Sequence, residues 1–393
     1  MREGWEYKKL GEVCTIERGG SPRPITDYIT DSEDGINWIK IGDAQEGSKY
    51  ITSTKEKIKP EGIKKSRFVH KGDFILSNSM SFGRPYLLKV DGCIHDGWLV
   101  IHDNNETFIK DYLYYILSSP IMYAKFSQLA VGGVVNNLNS SLVRKVAIPL
   151  PPKSTQLAIV SELDKINELI RLKKEQLKDF DNLAPSIFYE MFGDPVENEK
   201  GWDVKKISDM AIVKTGPFGS MLHKEDYITN GIPLVNPIHM KNFKIVPDME
   251  FTITKEKACE LQNYMLQNKD IVFARRGDIG RCAIVSDKIG KEYLCGTGSL
   301  FVRFIDSIES VFIMYIVRSE SFSKHLISKA KGATMLNINS STIANLSIPI
   351  PPLHLQQHFA QRIEQIEHQK TEVQKAIADL ETLLASRMQY WFE

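Results

Sequence analysis

Two stretches of sequence decide the fold: Ile148-Pro149-Leu150-Pro151-Pro152 and Ile348-Pro349-Ile350-Pro351-Pro352. Each follows an Asn-Ser-Ser triplet, at 139–141 in the first case and at 339–341 in the second, so both matches share an offset of 200 residues. A period this long indicates a duplicated structural unit rather than a stacked array of short repeats. The chain is therefore predicted to contain two copies of one unit.

The duplication extends in both directions from these segments. Near the N-terminus, Gly4-Trp5-Glu6-Tyr7-Lys8-Lys9-Leu10 returns as Gly201-Trp202-Asp203-Val204-Lys205-Lys206-Ile207, with an offset of 197. Gly83-Arg84 and Gly280-Arg281 share that offset, so the second copy has a net insertion of three residues before the Ile-Pro segment. The offset of 200 then persists to the last residues of the chain. The repeat covers nearly all 393 residues.

Between these matching segments the two copies differ strongly. Arg18-Gly19-Gly20-Ser21-Pro22-Arg23-Pro24 in the first copy corresponds to Thr215-Gly216-Pro217-Phe218-Gly219-Ser220 in the second. One scaffold that carries different loops suggests one task performed on two different targets. The alternative is plain sequence drift after the duplication.

Each copy ends in a segment with the apolar spacing of a coiled coil. From residue 159, and again from residue 359, apolar side chains recur at alternating steps of four and three, which predicts a helix with one apolar seam. Proline lacks a backbone N–H, so the Pro-Pro pairs mark the helix starts, and Ser154 or Thr155 is the expected N-cap of the first helix. The predicted helices span 153–192 and 353–393. The seam positions are Leu163, Ile166, Ile170, Leu177, Phe180, Ile363, Ile366, Val373, Ile377 and Leu380.

Neither seam is stable in water, and an antiparallel coiled coil between the two helices is the simplest arrangement that buries both. The alternative is that each helix packs on its own globular domain. A helix of about 35 residues would be roughly 50 Å long at 1.5 Å per residue. Pro185 interrupts the first segment and is expected to kink or end that helix near Leu183. The second copy has Ala385 at the matching position.

The remaining segments, 1–152 and 193–352, are predicted to be globular. Short β-branched and aromatic runs predict strands at 74–76, 271–273 and 300–302. One helical stretch is expected in each segment, near 108–118 and 308–318, and 193–201 reads as a polar, turn-rich connector. The predicted fold is α+β, with two halves related by a pseudo-two-fold axis, each a globular domain followed by a long helix.

Bulk composition excludes several classes of protein. The net charge is only +1, so a nucleic-acid surface must arise from local clustering of cations. The chain has five cysteines and no Cys-x-x-Cys pair, which argues against a disulfide framework or a zinc ribbon. The longest apolar run, 311–317, is too short to span a bilayer, and the N-terminal residues lack the pattern of a signal peptide. We expect a soluble cytoplasmic protein with no membrane partner.

The sequence contains no motif that predicts a catalytic site. Walker A and Gly-x-Ser-x-Gly motifs are absent. Asn236-Pro237-Ile238-His239 is similar to the Asn-Pro-Pro-aromatic loop of adenine methyltransferases but lacks its second proline and its aromatic residue. Pro247-Asp248 lacks the acid-x-Lys of a nuclease core, and His354 with His358 lacks a third metal ligand. We therefore expect a binding protein that is not an enzyme and holds no metal or cofactor.

Several loops combine cations, small residues and hydrogen-bonding side chains, as a DNA-reading surface requires. Arginine can bridge O6 and N7 of guanine, and asparagine can bridge N6 and N7 of adenine. Lysine and backbone N–H groups hold phosphates, and glycine lets the backbone approach the groove. The alternative for each loop is a solvated turn. The candidate DNA contacts are Arg18, Ser21, Arg23, Asn78, Ser79, Arg84 and Asn136 in the first copy, and Lys214, Ser220, Arg275, Arg276, Arg281 and Thr334 in the second.

These features together resemble the specificity subunits of type I restriction-modification systems. The resemblance rests on the Gly-Trp start followed by Lys-Lys-Leu-Gly, on the Ile-Pro-x-Pro-Pro segment before a glutamine-containing long helix, and on the occurrence of this arrangement twice. The segment Arg276-Gly277-Asp278-Ile279-Gly280-Arg281 is a supporting feature. In this family's terms, 1–152 and 193–352 are target recognition domains, and 153–192 and 353–393 are spacer helices.

The resemblance implies a non-catalytic subunit that binds double-stranded DNA at a bipartite, asymmetric site, with each target recognition domain reading one half. It also implies that the paired helices dock two methyltransferase (M) subunits, and that motor-nuclease (R) subunits complete the complex. S-adenosylmethionine, ATP and Mg²⁺ are expected on those partners and not on this chain. One alternative is a coiled-coil scaffold whose two arms bind proteins rather than DNA. Another is a fused nuclease or methyltransferase, which would need an active site that the sequence does not reveal.

Overall fold

The computed structural model describes residues 4–45, 47–78, 83–103, 105–129, 138–218, 221–286, 292–305, 307–330 and 337–393. The chain forms two compact units. The first unit combines Met1–Lys174 with Lys375–Glu393, and the second consists of Glu175–Gln374. Both boundaries fall inside long helices, so each long helix contributes one end to each unit.

Within the described residues, the first unit contains strands, two short α-helices and two four-residue helical turns before its long helix. Its strands are β1 (Glu6–Lys9), β2 (Cys14–Arg18), β3 (Ile29–Thr30), β4 (Ile36–Ile39), β5 (Tyr50–Ile51), β6 (Glu56–Ile58), β7 (Arg67–Val69), β8 (Phe74–Ser77), β9 (Pro85–Leu88), β10 (Gly92–Ile94), β11 (Trp98–Asp103) and β12 (Ala147–Leu150). Its helices are α1 (Leu10–Val13), α2 (Lys110–Ser118), α3 (Pro120–Leu129), α4 (Ser140–Val143) and the start of α5 (Lys153–Phe192).

The second unit repeats this order of elements with differences in its loops. Its strands are β13 (Val204–Lys206), β14 (Ala211–Thr215), β15 (Tyr227–Ile228), β16 (Ile232–Val235), β17 (Met240–Lys241), β18 (Lys244–Ile245), β19 (Thr252–Ile253), β20 (Ile271–Ala274), β21 (Cys282–Ile284), β22 (Leu294–Cys295), β23 (Ser299–Phe304) and β24 (Ser347–Pro349). Its helices are α6 (Lys255–Glu260), α7 (Ser310–Arg318), α8 (Glu320–Lys329), α9 (Ser340–Ala344) and the start of α10 (Leu353–Phe392).

The central sheet of the first unit has the strand order β2-β11-β8-β9-β5 and is covered on both faces. On one face, Phe74 and Leu76 pack in the core that includes α2. On the other face, Ile75 packs with residues of the second sheet, β3-β6-β4-β10-β7. Because side chains of a strand alternate between faces, a strand covered on both faces is buried along its whole length, as β8 is.

The second unit has the corresponding central sheet, β14-β23-β20-β21-β18-β17. Ile271 and Phe273 of β20 face the helical core, whereas Val272 faces a second cluster with Val235 and Cys295. The α+β class and all three strands predicted at 74–76, 271–273 and 300–302 are confirmed.

The repeated sequence motifs mark structural contacts. β1 pairs antiparallel with β12, so the Gly-Trp start lies beside the first Ile-Pro segment, with Tyr7 opposite Pro149. β13 pairs with β24 in the same way, with Val204 opposite Pro349. The two motifs that recur together in the sequence are therefore neighbours in each unit.

Two further motifs are hydrogen-bonded turns. Asn139 and Asn339 are N-caps: their side chains accept from Leu142 N–H at 3.0 Å and from Thr342 N–H at 2.8 Å. The Asp73 and Asp270 carboxylates each accept a backbone N–H three residues earlier, at 2.8 Å. Each aspartate closes the turn that leads into a central strand.

Helices α5 and α10, each of 40 residues, pack antiparallel within both units. In the first unit, Leu163 shares a core with Met388 and Phe392. In the second unit, Phe188 lies against Phe359, with ring centroids 5.7 Å apart. The beginning of one helix therefore meets the end of the other, which confirms the predicted antiparallel pairing. In each unit the paired helix segments also pack on the globular part. Pairing of the two helices and packing of helices on the globular domains therefore occur together.

The seam positions are placed as follows. Leu163, Ile166, Ile170, Ile363, Ile366, Val373 and Ile377 are buried, and Leu177, Phe180 and Leu380 are half-buried. No helix within the described ranges is long and apolar enough to cross a membrane.

The expected N-cap of the first long helix is wrong, and of the two effects expected of Pro185, the end of the helix near Leu183 is not observed. The Gln156 N–H donates to the Pro152 carbonyl at 3.0 Å, so helical bonding starts from Pro152, and Ser154 and Thr155 lie within the first turn. The helix also does not end near Leu183, because it continues through Pro185 to Phe192. A proline removes one helical hydrogen bond, and the buried side chains after it hold this end of α5 in the core of the second unit.

The expectation of one helix per globular segment is also wrong. Helices α3 and α8 follow α2 and α7 after a break at Ser119 and Ser319. Each serine hydroxyl accepts a backbone N–H of the next turn, at 3.2 Å from Met122 and 3.3 Å from Phe322. These helices bury few apolar side chains, such as Met122 and Phe126 in α3, so their apolar pattern is weak.

One polar network joins the helix pair of the first unit. The Arg387 guanidinium pairs with the Glu162 carboxylate, and Trp391 Nε1 donates to the same carboxylate at 3.0 Å. The ring of Trp391 stacks on Trp5, with an interplanar angle of 4°. In the second unit the residue equivalent to Glu162 is Arg362, which lies near the sulfur of Met191.

Replacing Arg387 with leucine is expected to lower the free energy of unfolding at neutral pH, and by more than the loss of a largely exposed ion pair does, because it leaves the Glu162 charge without its main partner. The hydrogen bond from Arg387 lowers the pKa of Glu162 from 4.5. The stabilisation is therefore complete above that value and is lost as the pH falls through the lowered pKa. Urea unfolding at neutral pH and in acid measures both effects.

Lys174 provides the control for that prediction. It pairs with Glu381 across the same helix pair, but both side chains are more than half exposed. Lys174→Leu should change the stability by less than about 1 kcal/mol. Equal losses in the two variants would contradict the importance assigned to the Glu162 network.

Candidate nucleic-acid interface

The two units present their candidate loops on the same backbone frame. Asn78 follows β8; its N–H donates to the Gly97 carbonyl at 3.0 Å, and its own carbonyl accepts from Leu138 N–H at 2.9 Å. Arg275 follows β20 and makes the same pair of bonds, to Gly298 at 3.0 Å and from Ile338 at 2.9 Å. Positions 78 and 275, separated by the 197-residue offset, are therefore structurally equivalent.

The strand register extends this equivalence to the neighbouring loop. Trp98 pairs with Ser77, and Ser299 pairs with Ala274, each at the first residue of its strand. Counting back two residues from each strand start places Asp96 and Thr297 at matching positions.

A glycine brings a third loop against this one in both units. A Cβ atom on Gly19 would lie 2.2 Å from the His95 carbonyl oxygen, and one on Gly216 would lie 2.0 Å from the Gly296 carbonyl oxygen. No side chain fits at those distances, so glycine permits the approach. The loops after β2 and β14 are thereby held beside the loops before β11 and β23.

In the first unit, four of the candidate residues meet at Asp96. Arg18 Nε and Asn78 Nδ2 donate to the Asp96 backbone carbonyl at 3.0 and 2.9 Å. The Ser21 hydroxyl donates to Asp96 Oδ1 at 2.8 Å, and an Arg23 nitrogen lies 3.7 Å from Oδ2. These five residues form the Asp96 cluster. Asn78 is buried within it, whereas Arg23 is largely exposed.

In the second unit, the matching position holds a cation. The Arg275 guanidinium is half-buried, and its hydrogen bond within the described residues runs from Nη1 to the Thr297 carbonyl, at 3.5 Å. Arg276 beside it is exposed. Neither arginine forms an ion pair with any residue that the structure describes. We call these two residues and Thr297 the Arg275 cluster.

The two clusters differ in their electrostatics. Partial burial alone raises the pKa of Asp96, but the hydrogen bond from Ser21 and nearby positive charge together outweigh it, so the pKa falls below its usual value. Burial lowers the pKa of Arg275, and the charge of Arg276 lowers it further. Both groups remain ionised at neutral pH. The first cluster thus centres on an anion and the second on a cation.

The other candidates lie around these clusters or outside the described residues. Arg281 is held by Asp278, with nitrogen–oxygen distances of 2.8 and 2.6 Å, and also contacts the Pro237 carbonyl. Arg84 is exposed, and its backbone bonds to Ser77. Lys214 is exposed on strand β14 instead of a loop. Ser79, Asn136, Ser220 and Thr334 lie outside the described residues.

Sequence reasoning missed Asp96, Thr297 and Asn236. The Asn236 side chain accepts from Gly298 N–H at 3.1 Å and so ties the loop after β16 to the Arg275 cluster. Cations are the residues expected to contact anionic DNA, so an aspartate gives no signal in the sequence by residue type. The available signal was position: Asp96 and Thr297 each precede a glycine at the start of matching strands.

Comparison with known proteins adds family information to this geometry. A family model described as the type I restriction modification DNA specificity domain matches residues 2–179 and again residues 199–382. The MjaIX specificity subunit of a type I restriction enzyme from Methanocaldococcus jannaschii is 25% identical, over 96% of this chain and 90% of its own. The MjaVIII specificity subunit from the same organism is 21% identical, over 97% and 92%.

Solved structures share the fold. A chain from structural work on complex assembly and conformational transition of the type I R-M system aligns with a TM-score of 0.71 and 19% identity, covering 99% of this chain and 97% of that one. The HsdS subunit from Thermoanaerobacter tengcongensis aligns with a TM-score of 0.54 and 20% identity, covering 99% and 96%. At these identities the likeness concerns the fold alone.

Proposed function

Because the chain belongs to the family of type I restriction modification DNA specificity domains, with one match in each of its two copies, we propose that it reads a bipartite, asymmetric DNA site, one half with each unit. It is a specificity subunit and not an enzyme. The observation that carries the proposal is the shared frame at positions 78 and 275 with different side chains on it. A common frame keeps the geometry of approach, and different side chains give each unit its own base preference.

The long helices support the proposal that partner subunits dock on this chain. In the first unit, Leu157, Leu169 and Leu172 of α5 are exposed, away from the buried seam. In the second unit, Leu183 and Tyr189 are exposed on the same helix. Exposed apolar side chains on a helix whose other face is already buried are typical of a protein interface.

We assign these helix surfaces to two methyltransferase (M) subunits, with motor-nuclease (R) subunits joining the complex. S-adenosylmethionine, ATP and Mg²⁺ belong on those partners. Methylation of a base in a duplex requires the base to be flipped out, so the methyltransferases must contact DNA beside the site that this chain reads. The complex acts on double-stranded DNA in the cytoplasm.

Methylome sequencing tests the proposal. Cells that express this chain with its methyltransferase are expected to show one bipartite methylated motif, and deletion of the gene for this chain should abolish that methylation because the methyltransferase loses its sequence reader. Methylation that persists unchanged after the deletion would refute the proposal. If the purified complex does not bind DNA in a binding assay titrated with salt, a protein-binding scaffold is favoured instead.

Exchange of residues 1–152 for the matching segment of another family member tests the division of labour. One half of the motif is expected to change and the other to stay the same, because the second unit keeps its own loops. The reciprocal exchange of residues 193–352 is the matched control and should alter only the other half. Changes in both halves from either exchange would contradict the assignment of one half-site to each unit.

A further inference from the structure

The two matching clusters carry opposite hydrogen-bonding character. Building on the proposed function, we propose that the Asp96 carboxylate reads a base by accepting a hydrogen bond, whereas the Arg275 guanidinium reads a base by donating. The targets are therefore an exocyclic amino group of cytosine or adenine for Asp96 and the O6 and N7 acceptors of guanine for Arg275.

The two carboxylate oxygens of Asp96 differ in their contacts. Oδ1 accepts from the Ser21 hydroxyl, but the nearest described cation to Oδ2, on Arg23, lies at 3.7 Å, beyond a hydrogen bond. The side chain of Asp96 is 44% exposed. An ionised carboxylate with one oxygen fixed and the other open is a directional acceptor.

Asp96 is also held in place through its backbone. Arg18 and the buried Asn78 both donate to its carbonyl. The Asn78 Oδ1 atom is buried and has no hydrogen-bond partner among the residues described, which indicates that this amide is oriented by its bond to Asp96. Asn78 and Arg18 are thus positioning residues in this proposal, and Asp96 is the reader.

Arg275 has donor groups that find few acceptors in the described parts of the chain. Its Nε atom is buried and has no partner in the described parts of the chain, and its Nη1 contact to Thr297 is long, at 3.5 Å. An arginine that served only the fold would normally meet a carboxylate, as Arg303 meets Asp270 with two bonds of 2.8 and 2.7 Å in the same unit. The described residues offer the Arg275 guanidinium no carboxylate and only one long contact, and in this proposal its Nη groups donate to a base.

The backbone around Asp96 in the first unit matches the backbone around Arg275 in the second. Asn78 and Arg275 occupy one matching position, and Asp96 and Thr297 occupy the other. In the first unit the anion stands on the loop before β11, and in the second the cation stands on the loop after β20. The duplicated scaffold therefore uses neighbouring positions of one surface to offer an acceptor in one case and donors in the other.

Methylome sequencing of single variants, made in the full chain and expressed with its methyltransferase, tests this inference. Arg275→Gln is expected to shift one position of one half-site from guanine towards adenine, because glutamine pairs with N6 and N7 of adenine. Asp96→Asn adds donors and should admit thymine or guanine at one position of the other half. The expected change in discrimination at each position is about 5- to 150-fold.

Two variants of exposed side chains serve as controls. Asp34→Asn makes the same chemical change in the first unit, and Lys324→Gln removes a cation from α8 in the second. Both should retain the wild-type motif. Where a variant methylates too little DNA for a motif to be read, binding of the purified complex to duplexes that each carry one changed base pair measures discrimination directly.

Three results would overturn the inference. One is an unchanged motif in both reader variants. Another is relaxation of both half-sites by either variant. The third is equally weakened binding to every duplex, which would assign Asp96 and Arg275 to the backbone and not to bases. If the wild-type chain yields no bipartite motif, the proposed function fails; if it does and the reader variants leave it unchanged, only this inference fails.

Discussion

Phe188→Ala is expected to lower the free energy of unfolding of the second unit by about 3–5 kcal/mol. Phe188 is 1% exposed and lies where α5, α7 and α10 meet. Its ring centroid is 6.0 Å from those of Phe312 and Tyr315 and 5.7 Å from that of Phe359. Alanine removes the contact with all three and leaves a cavity that the long helices can close only in part.

Tyr189→Ala is the matched control for this prediction. Tyr189 is the next residue of the same helix but is 39% exposed, so the same truncation opens to solvent and should cost much less than the loss of Phe188. Hydrogen exchange measured by mass spectrometry on peptides from α7 and from the start of α10 reports the stability of this unit separately. Protection that falls equally in both variants, or in neither, would contradict the role assigned to Phe188.

The apolar cluster around Phe188 also explains why the helices were predictable. A seam with alternating steps of four and three records burial directly, since only one face of each helix meets a partner. The helix does not end at Pro185, because the cost of a proline is local, whereas the burial of Ala184, Ile187 and Phe188 around it is a tertiary effect that sequence spacing does not report.

The candidate site was predictable only in part. The cations and glycines of the loops could be selected by residue type, and several of them meet at Asp96 and Arg275. The equivalence of positions 78 and 275 depends on hydrogen bonds to residues 138 and 338, far along the chain, and local patterns do not report such contacts. Asp96 was missed because its role comes from Ser21 and Arg18, which are about as distant in sequence.

The sharing of each long helix by both units follows from the same kind of distant contact. The end of α10 completes the core of the first unit, where Phe392 meets Tyr112 with ring centroids 5.9 Å apart. A reading by sequence order assigns that segment to the second copy. The repeat shows which residues of the two copies are equivalent. It does not show that the end of α10 packs in the first unit and the end of α5 in the second.

Gln356→Met is expected to lower the stability of the second unit by about 2–5 kcal/mol, because it leaves a buried carbonyl and a partly buried N–H of the backbone unpaired. Gln356 is fully buried; its Oε1 accepts from Glu309 N–H at 3.0 Å and its Nε2 donates to the Pro351 carbonyl at 2.7 Å. Glu309 is the N-cap of α7, and Pro351 directly precedes α10. One side chain thus fastens the start of the long helix to the globular part.

The first unit has the same connection, so this pair of hydrogen bonds is a feature of both copies. Gln156 Oε1 accepts from Ile109 N–H at 2.8 Å, and its Nε2 donates to the Pro151 carbonyl at 3.0 Å. Gln156→Met should therefore destabilise the first unit by a similar amount. The neighbouring substitution Gln357→Met, at an exposed position of α10, is the control and should change the stability by less than about 0.5 kcal/mol.

Chemical denaturation and hydrogen exchange of α2 and α7 measure these losses, and methylation measures their consequence. If each glutamine fixes the angle between a proposed reading surface and the helix on which we propose that partners dock, Gln356→Met should weaken methylation without changing the methylated motif, because the loops proposed to contact bases are untouched. A changed motif would mean that the glutamine shapes the loops themselves. Unchanged exchange of α7 would mean that the prolines and the apolar core fasten the helix without it.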